Sequence, residues 1–386
     1  MTDFDLLCDR RGTGSSKWSR YPDQVLPMWV ADMDFPVAPE IIDAVRERLE
    51  HPVLGYGVPR DELREQIVAD MRTKYDWTVS PEDIVFLPGV EPGFNMALKA
   101  MLRPGDGVLV QTPVYSPILN APGNWQLERY DAPLTPTPDG WLMDADAVGD
   151  GLREATALLL CNPHNPTGKV FTRDELQLLA GLCRANDTFV ISDEIHCDLL
   201  FDGRRHVPFA TLSEDAAQRT VTLMAASKTY NIAGLKTAFA IVQNREVRER
   251  FAASRLGMVD SVNVLGLEAT LAAYAKADGW KAEMLSYVQD NRDFLCDEVA
   301  KRFPGVRLVK AEGTFLAWLD CADLGLADDP QQFFLDHAGV GLSAGRDYGD
   351  AYRDCVRLNF GCPRALLAEG LDRMGRALAR VRQPLP

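Results

Sequence analysis

The sequence predicts an α/β fold with a mainly parallel sheet that is covered by helices. Through the middle of the chain, six apolar runs of strand length alternate with helix-like stretches. The runs are almost continuously apolar, which is typical of parallel strands that are buried on both faces. The six predicted strands are residues 83–87, 108–111, 157–161, 189–192, 221–224 and 238–242.

The clearest helix start is at Thr172. Thr172 and Glu175 form a capping-box pattern, in which a hydroxyl and a carboxylate satisfy the free backbone N–H groups of a first helical turn. Leu176, Leu179 and Leu182 follow at the spacing of one helix face. We therefore predict a helix between the third and fourth strands.

Two packed units, or one large α/β domain with an appendage, are expected, because 386 residues exceed the usual single domain of roughly 100 to 200 residues. No internal repeat or low-complexity linker divides the sequence, so the second domain must be built from the chain ends. We predict a large domain of residues 47–274 and a smaller α/β domain of residues 1–46 and 275–386. The elements expected in the smaller domain are helices at residues 39–49 and 280–302, strands at 306–309 and 315–319, and a helical tail from Pro363.

Composition and charge narrow the classes of function. Hydrophobic residues make up 46% of the chain and charged residues 25%, so a disordered or fibrous protein is excluded. The formal net charge of −15 would repel a phosphate backbone, so we expect small-molecule or protein partners and no nucleic acid. No apolar run reaches the roughly 18 residues that span a bilayer, and the acidic start is unlike a signal peptide. We expect no membrane association and a cytoplasmic location.

The cysteines and histidines show no metal-binding spacing. The eight cysteines contain no C-x-x-C pair, and several lie in apolar runs. They are expected to be reduced, buried thiols, with disulfides or a metal site as the alternatives. The five histidines lack an H-E-x-x-H or comparable pattern, so no metal is expected.

Polar residues follow four of the predicted strands. In an open parallel sheet, ligands bind beyond the carboxyl ends of the strands, so these residues are expected to converge at one edge. They include a lysine, an acid, an amide and a glycine turn. The four segments are residues 88–91, 162–169, 193–196 and 225–228.

Three of these residues have both an ordinary and a chemical interpretation. Lys228 is either a surface charge or an amine that its small, apolar and neutral neighbours desolvate, which suits Schiff-base chemistry. Asp193 at a strand end is either a structural ion-pair partner or the carboxylate that keeps a pyridinium nitrogen protonated. Asn165 is either a turn residue or a hydrogen-bond donor to a phenolate oxygen.

In this order, and each at a strand exit, Asn165, Asp193 and Lys228 resemble the fold-type I pyridoxal-phosphate enzymes, the relatives of aspartate aminotransferase. The resemblance spans nearly the whole chain and implies their transferase fold, with a seven-stranded sheet in the large domain. It implies that Lys228 carries pyridoxal 5′-phosphate, that Asp193 bonds its pyridine nitrogen and that Asn165 bonds its O3′ atom. His196 stands where many relatives have a tyrosine, so a contact to the ring oxygen and a core position both stay open.

The same resemblance implies a phosphate site. The turn at residues 89–91 precedes a predicted helix at 92–102, and the free N–H groups of a helix start suit an anion. The backbone of Val90 and Glu91 would bind the phosphate, assisted by Ser227 and Lys236. The Glu91 side chain departs from the family pattern, because a carboxylate repels phosphate unless it points away or meets a cation.

Further residues are implied to bind the ring, the substrate and a second subunit. Tyr115 matches the aromatic that stacks on the pyridine ring, with a buried strand-end tyrosine as the alternative. Arg357 would hold the substrate's α-carboxylate in two parallel hydrogen bonds, with Asn359 beside it in the same motif; the alternative for Arg357 is a surface salt bridge. Tyr56 matches a tyrosine that reaches the phosphate of a neighbouring subunit, which implies a homodimer.

Four segments resemble the cystathionine β-lyase, or carbon–sulfur lyase, branch, which also includes a bacterial regulator of maltose genes. Within the first segment, Trp29 and Asp32 would line the substrate entrance, with domain packing as the alternative. The segments are residues 27–35 (PMWVADMDF), 55–57 (GYG), 192–196 (SDEIH) and 357–364 (RLNFGCPR).

The branch implies an α,β-elimination from L-cystathionine or a related S-substituted cysteine, which yields a thiol, pyruvate and ammonia. Lys228, Tyr115 and Asp193 would be the catalytic residues, with Lys228 as the base for the α-proton. An aminotransferase that shares every cofactor residue is the first alternative. A regulatory protein that retains the cofactor is the second. Which thioether is used is open at this point.

Overall fold

The computed structural model describes residues 2–381. Its two largest sheets, of seven and four strands, are packed against helices. The helices are α1 (Ser16–Ser19), α2 (Pro39–Glu50), α3 (Asp61–Tyr75), α4 (Val90–Met101), α5 (Ser116–Asn124), α6 (Ala145–Glu154), α7 (Arg173–Ala185), α8 (Glu214–Gln218), α9 (Arg245–Ala253), α10 (Val264–Lys276), α11 (Asp278–Arg302), α12 (Pro330–Ala338) and α13 (Arg364–Val381). The strands are β1 (Leu26–Pro27), β2 (Ile84–Leu87), β3 (Gly107–Val110), β4 (Glu128–Asp131), β5 (Leu134–Thr137), β6 (Gly140–Met143), β7 (Ala157–Cys161), β8 (Phe189–Asp193), β9 (Thr220–Met224), β10 (Ala238–Ile241), β11 (Arg307–Leu308), β12 (Leu316–Asp320), β13 (Val340–Gly341), β14 (Ser343–Ala344) and β15 (Cys355–Asn359).

The large sheet has seven strands in the order β2-β10-β9-β8-β7-β3-β4. Only β10 runs against its neighbours, so the predicted α/β class with a mainly parallel sheet is confirmed. All six predicted strands belong to it. The seventh, β4, escaped prediction because it reads Glu-Arg-Tyr-Asp and is largely exposed. As an edge strand it is paired on one side only and needs no apolar run.

The capping box at the start of α7 is confirmed. The Thr172 hydroxyl accepts a hydrogen bond from the backbone N–H of Glu175 at 3.2 Å, and the Glu175 carboxylate accepts one from the backbone N–H of Thr172 at 2.8 Å. Leu176 and Leu179 are fully buried behind this turn. The reciprocal cap thus sets where the helix between β7 and β8 begins.

The smaller sheet is antiparallel, in the order β11-β12-β15-β14, and the long helix α11 and the tail helix α13 follow the predicted pattern. The N-terminal segment joins it, because β1 pairs with β13 and the Asn359 N–H donates to the Met28 carbonyl at 2.9 Å. Helix α2 differs from the expectation: it packs mainly against α10, most of which lies before residue 275. The division at residues 47 and 275 therefore stays a proposal.

Within residues 2–381, no helix combines the length and the hydropathy that are needed to cross a bilayer.

Candidate active site

The loops that leave β2, β7, β8 and β9 surround a single cavity of about 400 Å³. Residues of the smaller sheet and of the segments around it close its other side. Most of the predicted site residues line this cavity, although they are scattered over more than 300 positions of sequence. The predicted residues among its lining are Trp29, Val90, Glu91, Tyr115, Asn165, Asp193, His196, Ser227, Lys228, Lys236 and Arg357.

Lys228 lies in the loop after β9, with its amine inside the protein. The amine donates a hydrogen bond to the Ala31 carbonyl at 2.8 Å. Burial lowers its pKa to about 8, with a smaller lowering from the Arg357 guanidinium. Near neutral pH a fraction of the amine is therefore unprotonated, which is the form that attacks a carbonyl or removes a proton.

Asp193 is the last residue of β8 and is 4% exposed. Burial raises its pKa to about 7, although the Ile195 N–H donates to it at 3.1 Å and stabilises the ionised form. Among residues 2–381 the carboxyl group forms no ion pair. It therefore has no cation in direct contact, although the Lys228 amine stabilises its ionised form from farther away, and a protonated ring nitrogen at this place would supply one.

We expect Asp193→Asn to flatten the pH dependence of stability of the cofactor-free protein. Folding raises the carboxyl pKa from 3.8 to about 7, so within this window the folded state holds a proton that the unfolded state has released. The contribution of this group to stability is therefore lost as pH rises from about 4 to about 7, by up to about 4 kcal/mol. Urea unfolding at both ends of the window measures it.

The exposed Asp139→Asn variant is the matched control for this change. It should keep the wild-type difference in unfolding free energy between the two pH values. If wild type and Asp193→Asn show the same difference, the buried carboxyl does not titrate as described.

Arg357 lies on β15 of the smaller sheet, and its side chain contacts the loop that follows β7 of the large sheet. Its side chain is 3% exposed, and its guanidinium donates to the Asn165 side-chain oxygen at 3.0 Å, the Trp29 carbonyl at 2.7 Å and the Ser343 hydroxyl at 3.3 Å. Its Nε atom is buried and has no hydrogen-bond partner within the described part of the chain. A buried guanidinium with an unused donor is suited to bind a carboxylate, and the surface salt bridge considered from the sequence is wrong.

The turn after β2 leads directly into α4, which begins at Val90 and so two residues earlier than predicted. Val90 and Glu91 are therefore its first residues, and their N–H groups have no acceptor inside the helix. Ser227 and Lys236 line the same cavity. Free amides at the positive end of a helix dipole, with a lysine nearby, form a site for an anion such as phosphate.

Tyr115 and Glu91 are in contact. The Tyr115 hydroxyl donates to the Glu91 carboxylate at 2.6 Å, and burial together with this carboxylate raises the pKa of the phenol. The Glu91 side chain thus turns toward Tyr115 and lines the cavity. The sequence left this orientation open.

His196 is 2% exposed and packs edge-on against Phe315, with ring centroids 6.0 Å apart. Burial lowers the pKa of the imidazole well below its usual value, so the ring is neutral. Its Nδ1 atom has no hydrogen-bond partner within residues 2–381. The residue is thus both packed in the core and part of the cavity wall.

Asp32 and Asn359 are outside the lining of the cavity as far as the described residues go. The Asn359 amide donates to the carbonyls of Val30 and Asp32, each at 2.6 Å, and the Asp32 carboxylate pairs with Arg10 at 2.7 Å. Both residues hold the segment whose Ala31 carbonyl accepts from Lys228. In this structure they hold that segment in place from outside the described lining of the cavity.

Sequence reasoning missed residues that support the site from a distance. The Asn231 side chain bonds the backbone of Met33 and Phe35, and buried Lys17 pairs with Asp34 at 2.6 Å. Asn231 lies three residues after Lys228 in the sequence. This proximity was the only feature of the sequence that could have indicated its role. No feature of the sequence indicated the role of Lys17, because its pairing with Asp34 depends on how the folded chain packs.

Tyr56 is 96% exposed and lies in a neighbouring groove with Lys236 and Pro88. Lys236 and Pro88 also line the main cavity, at its phosphate end. Within one chain, Tyr56 does not reach the candidate site.

The residues present fit pyridoxal 5′-phosphate. The decisive observation is the buried Asp193 carboxyl, which forms no ion pair with any residue of 2–381 and lies at the wall of a cavity that also holds a desolvated amine. Each polar part of the cofactor would meet a matching group. The residues that would hold it are Val90, Glu91, Ser227 and Lys236 at the phosphate, Asp193 at the ring nitrogen, Asn165 and His196 at O3′, Tyr115 at the ring face and Lys228 at the aldehyde.

Comparisons with known proteins extend over nearly the whole chain. The profile of the family "Aminotransferase class I and II" matches residues 23–374. The cystathionine beta-lyase PatB of Bacillus subtilis (strain 168) is 37% identical, with 98% of this chain and 100% of the relative covered. Protein MalY of Escherichia coli (strain K12) is 33% identical, with 99% of this chain and 100% of the relative covered.

Solved structures are similar to the same extent. The crystal structure of OvoB has a TM-score of 0.93 at 44% identity and covers 97% of this chain and 99% of that chain. Cystalysin from Treponema denticola, whose crystal structure contains a pyridoxal 5′-phosphate cofactor, has a TM-score of 0.95 at 30% identity and covers 99% of this chain and 100% of that chain. The similarity therefore includes both sheets and the loops around the cavity.

Proposed function

The chain belongs to the aminotransferase class I and II family, and we propose that it is a pyridoxal-phosphate-dependent carbon–sulfur β-lyase. Its substrate is L-cystathionine or a related S-substituted cysteine, and its products are a thiol, pyruvate and ammonia. The observation that carries this proposal is the convergence of Lys228, Asp193 and Arg357 on one cavity, in a chain that aligns over its full length with a cystathionine beta-lyase.

The reaction consumes one water. The Cβ–S bond breaks, the sulfur leaves with a proton as the thiol, and the remaining three carbons become pyruvate when water replaces the amine as ammonia. Bound pyridoxal 5′-phosphate supplies the electron sink for the charge left on Cα when its proton departs.

The protein's own groups perform the remaining tasks. The Arg357 guanidinium binds the α-carboxylate and sets the direction of the bonds at Cα. The Lys228 amine, whose pKa is lowered to about 8, removes the α-proton. The Asp193 carboxylate keeps a proton on the ring nitrogen, in a buried position where no water competes for it. These assignments of individual residues are part of the proposal.

The direct test is to supply purified protein with L-cystathionine and no keto acid. We expect pyruvate and homocysteine in equal amounts. L-Methionine is the matched control, because its sulfur lies on Cγ and cannot leave by α,β-elimination. If a keto acid forms only when a second keto acid is added, the aminotransferase alternative replaces the lyase.

We also propose a homodimer that shares its active sites. Exposed apolar side chains line the groove that contains Tyr56 or lie within a few residues of its lining in sequence, and they are between 56% and 96% exposed in the single chain. A second copy that covers them would remove this apolar surface from water. It would also bring its Tyr56 to the phosphate end of the cavity. The exposed residues are Val53, Leu54, Tyr56, Val58, Leu256 and Met258.

Val58→Asp combined with Leu256→Asp is expected to shift the protein from dimer to monomer, because the two carboxylates would be buried without partners at the interface. Sedimentation velocity measures the change. The exposed Leu142→Asp variant, in the β5–β6 hairpin, is the control and should stay dimeric. A wild-type protein that sediments as a monomer contradicts the proposal.

A cytoplasmic location is proposed as well. All eight cysteines are free thiols and six of them are buried, a state that a reducing compartment maintains.

A further inference from the structure

Glu91 is an acidic side chain in a cavity that otherwise attracts anions. The cavity contains the positive end of the α4 dipole, the Lys236 amine and the Arg357 guanidinium. Glu91 is the second residue of α4, and its carboxylate lines the same cavity. Within residues 2–381 its carboxylate forms no ion pair, so its charge is balanced only from a distance, by groups such as the Lys228 amine.

Because of the contact with Tyr115, the oxygens of both side chains can only accept further hydrogen bonds. A phenol has one proton, and Tyr115 donates it to one oxygen of Glu91 at 2.6 Å. The phenol oxygen can then only accept. The second carboxylate oxygen of Glu91 receives no hydrogen bond from the described residues. The raised pKa of Tyr115 keeps the phenol in its neutral, donating form.

The position of Glu91 relative to the reacting groups indicates which part of a substrate it meets. Its charge is near enough to raise the pKa of Lys228 and that of Asp193. A substrate amino acid would have its carboxylate at Arg357 and its amine at the cofactor beside Lys228. The side chain beyond Cβ is then the part of the substrate that is free to contact Glu91 and Tyr115.

We propose that Glu91, with Tyr115, selects S-substituted cysteines whose leaving thiol carries a cationic N–H donor such as an ammonium group. This inference rests on the proposed function and deepens it. A cation there would meet two acceptors and a carboxylate that forms no ion pair within the described residues, which makes a charge-assisted hydrogen bond. It would also offset the repulsion between Glu91 and the cofactor phosphate.

The test compares two substrates of the same shape. S-(2-aminoethyl)-L-cysteine carries a terminal ammonium group, and S-propyl-L-cysteine carries a methyl group in its place. We expect wild-type kcat/KM, measured by pyruvate release, to favour the cationic substrate by about tenfold or more. Glu91→Gln and Glu91→Val should bring the ratio close to one, whereas Glu65→Gln, at an exposed position on α3, should keep it.

A binding measurement separates this inference from the lyase function. L-Lysine and L-2-aminoheptanoate have the shapes of the two substrates but no C–S bond, so they cannot undergo the elimination. Calorimetry of the holoenzyme should show that L-lysine binds about tenfold or more tightly, and that Glu91→Gln removes this preference. Thermal unfolding and the colour of each variant confirm that it is folded and retains the cofactor.

The outcomes are distinct. If both compounds of each pair behave alike in wild type, or if Glu91→Gln keeps the preference, the selection by Glu91 is wrong even when pyruvate is released. If none of the S-substituted cysteines, L-cystathionine included, yields pyruvate while L-lysine still binds preferentially, the lyase function fails and the recognition of a cation stands.

Discussion

Lys228→Ala is expected to remove the yellow colour of the purified protein and to reduce pyruvate release by roughly a thousandfold or more. The substitution deletes the amine that would attach the cofactor and remove the α-proton. Because the amine also donates to the Ala31 carbonyl, a small loss of stability accompanies the change. Absorbance spectra after dialysis and a pyruvate assay measure the two effects.

Lys301→Ala is the matched control, since this lysine lies on α11, is exposed and is remote from the cavity. It should keep both the colour and the activity. Turnover of Lys228→Ala at the wild-type rate would refute the assignment of the reacting amine. Retained colour without turnover would instead mean that the lysine acts as the base but does not hold the cofactor.

Arg357→Ala is expected to lower kcat/KM by about a hundredfold or more, mainly through KM, while the protein keeps its colour. Two parallel charge-assisted hydrogen bonds to a buried carboxylate are worth several kcal/mol, and alanine can form neither. Arg357→Lys should recover less than about a tenth of the loss, because an ammonium group cannot present two parallel donors. Initial rates over a range of L-cystathionine concentrations measure the effect.

Arg307→Ala is the control in the same small sheet, because Arg307 on β11 is exposed and its partners lie on the surface. It should leave KM unchanged. If Arg357→Ala lowers kcat and leaves KM as in wild type, the guanidinium does not bind the substrate in its ground state. Since Arg357 also bonds Asn165 and Trp29, the spectrum of the bound cofactor reports any disturbance of these neighbours.

The large sheet could be predicted because its central strands are buried on both faces and therefore leave apolar runs in the sequence. The same reasoning failed for β4, whose outer edge faces water. The sequence analysis also did not predict β15 as a strand, although β15 contains part of the motif around Arg357. Helix starts could be predicted where a side chain caps the helix. The capping box gave the start of α7 correctly, whereas α4 has no side-chain cap and its start was predicted two residues too late.

The chemistry of the strand ends could be inferred from local sequence patterns. Asn165, Asp193 and Lys228 each follow an apolar run, and the topology of a parallel sheet brings such positions to one edge, so their convergence follows from local patterns. Through these residues the chain resembles the fold-type I enzymes, and this resemblance predicted pyridoxal 5′-phosphate as the cofactor. Local signals suffice here because strand formation and burial are properties of short segments.

The groups that these residues contact depend instead on long-range packing. Ala31, whose carbonyl accepts from Lys228, is 197 positions away in sequence, and the hydrogen bond from Arg357 to Asn165 spans 192 positions. Asp32 and Asn359 proved to hold the N-terminal segment, and the Glu91 carboxylate proved to meet Tyr115. Such pairs depend on how the N-terminal segment and the small sheet pack over the large one. No local propensity encodes that packing, since it arises from the burial of many distant side chains together.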